Sequence, residues 1–376
     1  MATKDFPSKI EDVSTDWLTG VLQGSGFDGA EITDMQVEVI GEGVGIMGLL
    51  YRVKLSYSET SSKEAPDSVV IKVPSPHEQT RHIARAFMFY GKEIGFYRDA
   101  AKDTPLGTPK CYAAHHDSES DDFVLVLEDL EGTEVISQLD GCPIDKAEIA
   151  IDALARHHAA FWESERFAGD LAWLPYGWDV PFPQAIAQGF SEAWPSFMEI
   201  FSDGVSERIK KVGEKFPTVT GEMLELADSP ITLAHGDFRL DNIFFQNNDL
   251  KVIDWQICIK TVGGYDVGYF LSQSLTIEDR RNHETELLDR YRQTLNELGL
   301  NYPKDQLMED YRRSVLFCLA YPVQGSAAAL VNERAVQLVA EMFGRVSTAI
   351  EDLDACLLYT SPSPRDRTRS RMPSSA

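Results

Sequence analysis

The stretch LAHGDFRLDNIFFQNNDLKVIDWQ, residues 233–256, carries the strongest signal in the chain. It sets Asp237, Asp241 and Asp254 around two short apolar runs, and Asn242 follows Asp237 after four intervening residues. Asp237 follows the apolar letters TLA after His235 and Gly236, and Asp254 ends the β-type run LKVI. Loop residues that a rigid scaffold positions are disproportionately binding and catalytic residues. We therefore interpret these carboxylates as groups that take part in chemistry.

The spacing of Asp237 and Asn242 suits a catalytic loop. In such a loop the aspartate accepts a proton from an attacking hydroxyl, and the asparagine turns back to a metal ion. The NND turn after the first apolar run predicts a hairpin that returns Asp254 to the neighbourhood of the loop. Two oxygen ligands beside a base are what Mg²⁺-assisted phosphoryl transfer requires. The sequence thus predicts Asp237 as a base and Asn242 with Asp254 as ligands of Mg²⁺.

Upstream residues match the parts of a nucleotide site. In GEGVGIMG, the glycines Gly41, Gly43 and Gly45 allow backbone amides to approach phosphates, because they carry no Cβ. Lys72, at the end of an apolar strand, can neutralise phosphates, and Glu93 on the next helix can hold that lysine. Each feature has a plainer interpretation: a simple hairpin, a strand-end lysine and a solvated helix charge. Their order relative to the HGD, Asn and Asp signals favours a site for ATP.

The periodicity predicts an α+β chain with a sheet-rich first part and a helical second part. The first part contains a helix near 15–23, strands on both sides of the glycine turn, and a third strand ending near Lys72. One long helix over 77–101 and two further strands complete a small antiparallel sheet. Beyond Asp145 the patterns are mainly helical, with an irregular loop region expected over 167–195.

The predicted division is an N-lobe over 1–130, a helical C-lobe over 131–355, and a tail over 356–376. The tail, CLLYTSPSPRDRTRSRMPSSA, turns basic and rich in Ser, Pro and Arg. It resembles read-through of a sequencing adapter, so we expect it to be non-native and exclude it from the fold. A natural disordered basic tail is the alternative.

Composition restricts the partners. The chain has 60 Asp and Glu against 35 Lys and Arg, and a formal charge of -25. Such a surface repels phosphate backbones and anionic membranes, which argues against nucleic-acid and membrane partners. The N-terminal sequence lacks the basic and apolar regions of a signal peptide, and the five cysteines show no metal-type spacing. We expect a cytoplasmic protein that acts on a small molecule, and the sequence leaves its oligomeric state open.

The chain resembles a known superfamily. HGDFRLDN followed by VIDWQ, with VVIKV, KEIGFYRDAA and FVLVLEDLEG upstream, is similar to the aminoglycoside phosphotransferase, choline kinase and ecdysteroid-kinase-like phosphotransferases. The resemblance covers about residues 37–345 and implies a protein-kinase-like, two-lobed fold. It implies that Asp237 is the base and that Asn242 and Asp254 are the Mg²⁺ ligands. It also implies that Lys72 and Glu93 form the pair that holds the ATP phosphates, and that Glu128 to Leu130 form the hinge that binds adenine.

The resemblance also concerns three loop residues. It implies that Arg239 points a cation at the transferring phosphate, although an exposed loop arginine remains an alternative. It implies that Asp266 braces the catalytic loop, while His235 is expected to tie that loop to the core. The letters DWQ stand where protein kinases have DFG, which favours a small-molecule acceptor bearing a hydroxyl. A nucleotide-binding pseudokinase and, less favoured, a protein kinase remain the alternatives.

Overall fold

The computed structural model describes residues 6–41, 47–59, 61, 64–179, 181–225, 229–330 and 333–360. The strands are β1 Ile32–Ile40, β2 Gly48–Tyr57, β3 Ser68–Pro74, β4 Cys111–Asp117, β5 Asp122–Glu128, β6 Glu134–Val135, β7 Ile231–Ala234, β8 Ile243–Gln246, β9 Asp249–Val252 and β10 Ile259–Val262. The α-helices are α1 Thr15–Gly24, α2 Glu78–Ala86, α3 Phe89–Gly95, α4 Ile144–Ala160, α5 Phe182–Phe201, α6 Glu207–Leu224, α7 Gly264–Ser274, α8 Ile277–Glu297, α9 Lys304–Phe317, α10 Ala320–Ala329, α11 Glu333–Asp352 and α12 Leu357–Thr360.

Five strands form an antiparallel sheet in the order β1-β2-β3-β5-β4. The central strand β3 turns one apolar face to the core, and Val69, Ile71 and Val73 on that face are almost fully buried. Helix α1 packs on this sheet through Leu18 and Leu22, and Ser14 caps its first turn. The predicted small antiparallel sheet is confirmed.

The single long helix predicted over 77–101 is wrong. Helix α2 ends at Ala86, Met88 adopts a left-handed conformation (φ 55°), and α3 begins at Phe89 and continues as a π-helical segment. The break redirects α3, so that Tyr90 is buried with its ring 4.5 Å from that of Phe123. Helical periodicity is present on both sides of the break, so the position of the break is determined by packing against the sheet.

The described chain forms two compact units, and the first is not continuous in sequence. It consists of 1–134 together with 165–174 and 244–258, and the second contains the rest. Trp255 stacks on Phe96 with ring centroids 3.6 Å apart, which attaches the third segment to the first. Trp173 lies against Gly95, where a Cβ would approach the indole to 2.9 Å. The linear division predicted at residue 130 therefore omits two segments that tertiary packing adds to the sheet-containing unit.

The second unit is mainly helical. Helix α4 packs against α8, and the fully buried α7 packs against α9. Strands β7 and β10 form a two-stranded antiparallel ladder that leads into the residues after Ala234. None of the helices in the described ranges combines the length and the apolar character needed to cross a bilayer.

The irregular loop predicted over 167–195 is wrong in its second half. Residues from Phe182 belong to the 20-residue helix α5, which contains Pro195 in its interior. An interior proline removes one backbone hydrogen bond and costs about 3 kcal/mol. Aromatic packing offsets that cost, because Phe190 stacks on Phe216 at 4.2 Å and Trp194 stacks on Phe190 at 5.4 Å. The proline and tryptophan content suggested a loop, whereas the aromatic residues hold a helix.

Candidate active site

In the sheet-containing unit, the structure brings together Lys72, Glu93 and Asp254. The Lys72 Nζ lies 2.7 Å from the Glu93 carboxylate and 3.1 Å from Asp254 Oδ1. Lys72 and Glu93 are almost completely buried. Burial alone would lower the pKa of Lys72, but the two carboxylates outweigh it and raise that pKa, so the lysine stays charged. The unit therefore holds a fixed cation at the end of a buried strand.

Asp254 is positioned by its backbone and its neighbours. It adopts a left-handed conformation (φ 66°), which is uncommon for a residue other than glycine and is frequent at functional sites. The next residue, Trp255, is held in place by stacking on Phe96, and the Gln256 amide donates to Asp254 Oδ2 at 3.2 Å. The carboxylate keeps 27% of its side-chain surface exposed, so a solvent-borne ion or phosphate group can reach it.

In the helical unit, the loop after β7 is held by a buried aspartate. The backbone N–H groups of His235 and Gly236 donate to the Asp266 carboxylate at 2.7 and 2.9 Å. Asp266 is fully buried, and His158 Nε2 hydrogen-bonds to it at 3.1 Å. Asp237 N donates to His235 Nδ1 at 3.1 Å. The brace expected of Asp266 is present, and His235 ties the loop to its own backbone.

Asp237 is the centre of a hydrogen-bonded cluster. The Asn242 side-chain amide donates to Asp237 Oδ2 and to its backbone carbonyl, both at 2.9 Å, and Arg239 Nε donates to Oδ1 at 3.1 Å. Arg239 also pairs with Asp241, which makes Asp241 a partner of the loop arginine. Burial alone would raise the pKa of Asp237, but Arg239 and the other donors lower it below its usual range. The carboxylate is therefore ionised at neutral pH and oriented from several sides.

Three residues that support this loop were not found from the sequence. Tyr269, on α7, donates a hydrogen bond to the Asp237 carboxylate, and the Tyr321 hydroxyl donates to the Gly236 carbonyl at 3.1 Å. Gln138 Oε1 accepts the backbone N–H of Leu240 at 3.0 Å. Tyr269 lies three positions after Asp266, so helical spacing could have placed it beside the loop. The distant Gln138 and Tyr321 left no local signal.

The structure describes only part of the predicted glycine loop, and it describes the hinge residues Glu128 and Leu130. Gly41 has a left-handed backbone (φ 71°), whereas Gly43 and Gly45 lie outside the described residues. The Glu128 carboxylate is paired with Lys251 at 2.6 Å and accepts the Lys110 N–H at 2.9 Å, so its side chain is engaged within the unit.

The Leu130 backbone is bonded on one side. The backbone N–H and the hydroxyl of Thr133 donate to the Leu130 carbonyl at 3.2 and 2.8 Å. Within the described ranges, the N–H of Leu130 has no acceptor, although the residue is only 9% exposed. This N–H is therefore a donor that an acceptor atom of a ligand could use.

His157 supplies a pH-dependent contribution to stability that can be measured. It is fully buried and donates to the Leu233 carbonyl at 2.9 Å, and burial lowers its pKa to about 3. An unfolded histidine titrates near 6.5, so below that pH the unfolded state binds a proton that the folded state does not. The folded state therefore loses about 1.4 kcal/mol per pH unit from this residue as the pH falls below 6.5.

His157→Gln is the variant that tests this contribution, because the glutamine amide can still donate to Leu233. We expect the wild type to be more stable than the variant at pH 7, and the difference in unfolding free energy to shrink as the pH falls from 6.5 to 5. Urea unfolding of both proteins across that range measures it. A difference that stays constant with pH would mean that His157 does not titrate as a buried neutral group.

Comparison with known proteins gives one family and one fold. The sequence model of the ecdysteroid kinase-like family matches residues 42–301. No curated protein sequence matches the chain. Among solved structures, choline kinase from Cryptosporidium parvum Iowa II aligns with TM-score 0.56 and 12% identity over 93% of this chain and 99% of that one.

Two further structures show the same fold. Plasmodium vivax ethanolamine kinase aligns with TM-score 0.52 and 15% identity over 87% of this chain and 85% of that one. The GDP complex of wild-type aminoglycoside 2'-phosphotransferase-IIIa aligns with TM-score 0.52 and 15% identity, over 90% and 99%. The predicted protein-kinase-like α+β fold is confirmed.

Proposed function

The chain belongs to the ecdysteroid kinase-like family, and from that membership and the Asp237 cluster we propose that it transfers the γ-phosphoryl group of ATP to a small-molecule hydroxyl. The observation that carries the proposal is the Asp237 carboxylate, which is ionised and held by Asn242 and Arg239. A carboxylate oriented in this way can accept the proton of an alcohol as its oxygen attacks phosphorus. The acceptor O–P bond forms, the bond from the γ-phosphorus to the leaving ADP oxygen breaks, and the proton passes to Asp237.

The strand register supports a nucleotide along β3 and β5. Lys72 stands opposite Leu125, and Val69 stands opposite Glu128, so three residues separate the lysine from the start of the hinge. At about 3.3 Å per residue this is about 10 Å, close to the reach from the base to the phosphates of ATP. With phosphates at Lys72, the base would lie beside residues 128–130, where the N–H of Leu130 has no acceptor within the part of the chain that the structure describes.

Asn242 and Asp254 fit the role of Mg²⁺ ligands by their chemistry. The Asn242 amide nitrogen is used by Asp237, which leaves its carbonyl oxygen as a ligand, and Asp254 offers a partly exposed carboxylate. Mg²⁺ bound there would neutralise charge on the phosphates. Lys72 supplies a second fixed positive charge, and Arg239 supplies a third once it is shared with the transferring group.

The surroundings of Asp237 favour a neutral acceptor over a cationic one. Helix α10 reaches the loop through Tyr321, and its sequence AYPVQGSAAA carries no charged residue. The one acidic residue of α7 is Asp266, and its carboxylate is fully used inside the loop. A choline-like or aminoglycoside-like acceptor needs carboxylates, whereas a hydroxylated apolar alcohol such as an ecdysteroid does not. We therefore place ecdysteroids and other hydroxylated sterols first among the acceptors to test.

The test is ATP turnover with and without candidate acceptors. The panel contains hydroxysterols, choline and ethanolamine, aminoglycosides and simple sugars, and phosphorylated product is detected by mass spectrometry. We expect acceptor-dependent ADP release with at least one neutral alcohol. ATP binding without turnover on any alcohol would favour the pseudokinase alternative, and phosphate transfer to a protein such as casein would favour a protein kinase.

A further inference from the structure

The segment after β5 is held by a partly buried ion pair that the chemistry above does not use. Arg52 Nε and Nη2 donate to the two oxygens of Asp129 at 2.7 and 3.1 Å, and Ser68 Oγ donates to Asp129 Oδ2 at 2.7 Å. We call Arg52, Ser68 and Asp129 the hinge clamp. Only 4% of the Asp129 side chain is exposed, so this is a built contact and not a surface pair.

The hinge clamp anchors a loop to rigid strands. Arg52 lies on β2 opposite Val70, and Ser68 begins β3, so two adjacent inner strands hold one carboxylate. The same carboxylate accepts the Glu131 N–H at 3.1 Å, which closes the turn after the hinge. Burial alone would raise the pKa of Asp129, but the hydrogen bonds from Arg52 and Ser68 lower it, so the clamp is charged on both sides.

The hinge clamp leaves the Leu130 backbone N–H available to a ligand. Thr133 occupies the Leu130 carbonyl, and the Asp129 side chain is fully occupied by its four donors. Among the described residues the Leu130 N–H has no acceptor, and its direction depends on the backbone on both sides of it. A bidentate arginine–carboxylate pair fixes orientation as well as distance, which a single lysine contact would not do.

We propose that Arg52 and Asp129 are positioning residues that fix the backbone of residues 128–130 for the base of the bound nucleotide. The proposal rests on the proposed function, since it assumes that ATP lies along β3 and β5. It assigns the two ends of the nucleotide to different side chains: Lys72 holds the phosphates, and the hinge clamp determines how well the base is held. A merely structural ion pair would stabilise the sheet without distinguishing the two ends.

Two fragments of ATP separate these possibilities in the full-length protein. Adenosine has the base without phosphates, and inorganic tripolyphosphate has the phosphates without the base, so each is measured as a competitor of ATP. In Arg52→Gln and Asp129→Asn, we expect adenosine to bind about tenfold more weakly, the size of one well-placed hydrogen bond, and tripolyphosphate to bind as in the wild type. Lys72→Met should show the opposite pattern.

Two control variants keep stability apart from positioning. Glu131→Gln removes the exposed second partner of Arg52, which lies 3.3 Å from it, and should change neither competitor. Arg81→Gln breaks a different ion pair of the same unit, Arg81–Asp122 at 2.6 Å, and should lower the melting temperature without changing the adenosine to tripolyphosphate ratio. Arg52→Lys keeps the positive charge but cannot donate to both Asp129 oxygens as the guanidinium does. It should give an intermediate loss of adenosine binding.

The outcomes also distinguish the inference from the proposed function. If the wild type binds both fragments and both hinge-clamp variants weaken them equally or not at all, the positioning role is wrong while the kinase proposal stands. If the hinge-clamp variants do not fold, Arg52→Lys and Ser68→Ala provide the same comparison with smaller losses. If the wild type binds neither fragment and does not turn over ATP, the nucleotide site itself is wrong.

Discussion

Asp237→Asn should lower kcat by about 10²- to 10⁴-fold, the typical contribution of a positioned general base. The asparagine is isosteric, and its one carbonyl oxygen can accept from either the Asn242 amide or the Arg239 guanidinium, but it cannot accept the proton of the acceptor hydroxyl. ATP affinity should change little, because the nucleotide site we propose is formed by Lys72 and the hinge segment and does not include Asp237. Turnover with the identified acceptor, the ATP dissociation constant and the melting temperature are measured together on the wild type and the variant.

A stability control makes the result specific to the base. Asp152→Asn breaks a comparable ion pair in the helical unit, since Arg290 donates to Asp152 at 2.9 and 2.7 Å and the Asp152 side chain is 21% exposed. We expect that variant to lose stability and to keep its kcat. If Asp237→Asn loses turnover only in proportion to its stability, as Asp152→Asn would, Asp237 braces the loop and the proposed mechanism is wrong.

The strands of the antiparallel sheet could be predicted because their signal is local. Apolar runs such as SVVIKVP, bounded by polar turn residues, indicate a strand whatever the rest of the chain packs against them. The helix break at Met88 could not be predicted in this way, since helical periodicity continues on both sides of it and no proline marks it. The left-handed turn there is stabilised by the burial of Tyr90 against the sheet, which depends on residues far along the chain.

The contacts of the candidate site also fall into those with a local sequence signal and those without one. The lysine–glutamate contact and the Asp237–Asn242 contact follow from motifs whose spacing was visible in the sequence. Contacts made by single residues from distant elements were not visible, among them Gln138 to Leu240 and Arg52 to Asp129. An isolated arginine or glutamine has no characteristic spacing, and its role appears only when the fold supplies its partner.

Asp254→Asn should nearly abolish turnover and weaken Mg²⁺-dependent ATP binding by more than about 100-fold, since loss of even an outer-shell partner of a metal typically costs 10- to 100-fold. The physical reason is the loss of a charged oxygen, because a neutral amide oxygen is a weaker ligand for a hard cation. Lys72 keeps its contact with Glu93 at 2.7 Å, so the fold of the sheet-containing unit should survive. ATP binding is measured by calorimetry over a series of Mg²⁺ concentrations, with the melting temperature alongside.

The matched control is Asp249→Asn on the same hairpin. Asp249 is exposed, and its carboxylate accepts only the N–H of Leu250 at 2.8 Å among the residues that the structure describes. Asp249→Asn removes one negative charge from the same hairpin, as Asp254→Asn does, but it removes no proposed ligand. The Mg²⁺ dependence of ATP binding should therefore move only in Asp254→Asn. If both variants shift it equally, the effect is general electrostatics, and if neither does, Asp254 is not a ligand of Mg²⁺ and its contact with Lys72 is its whole role.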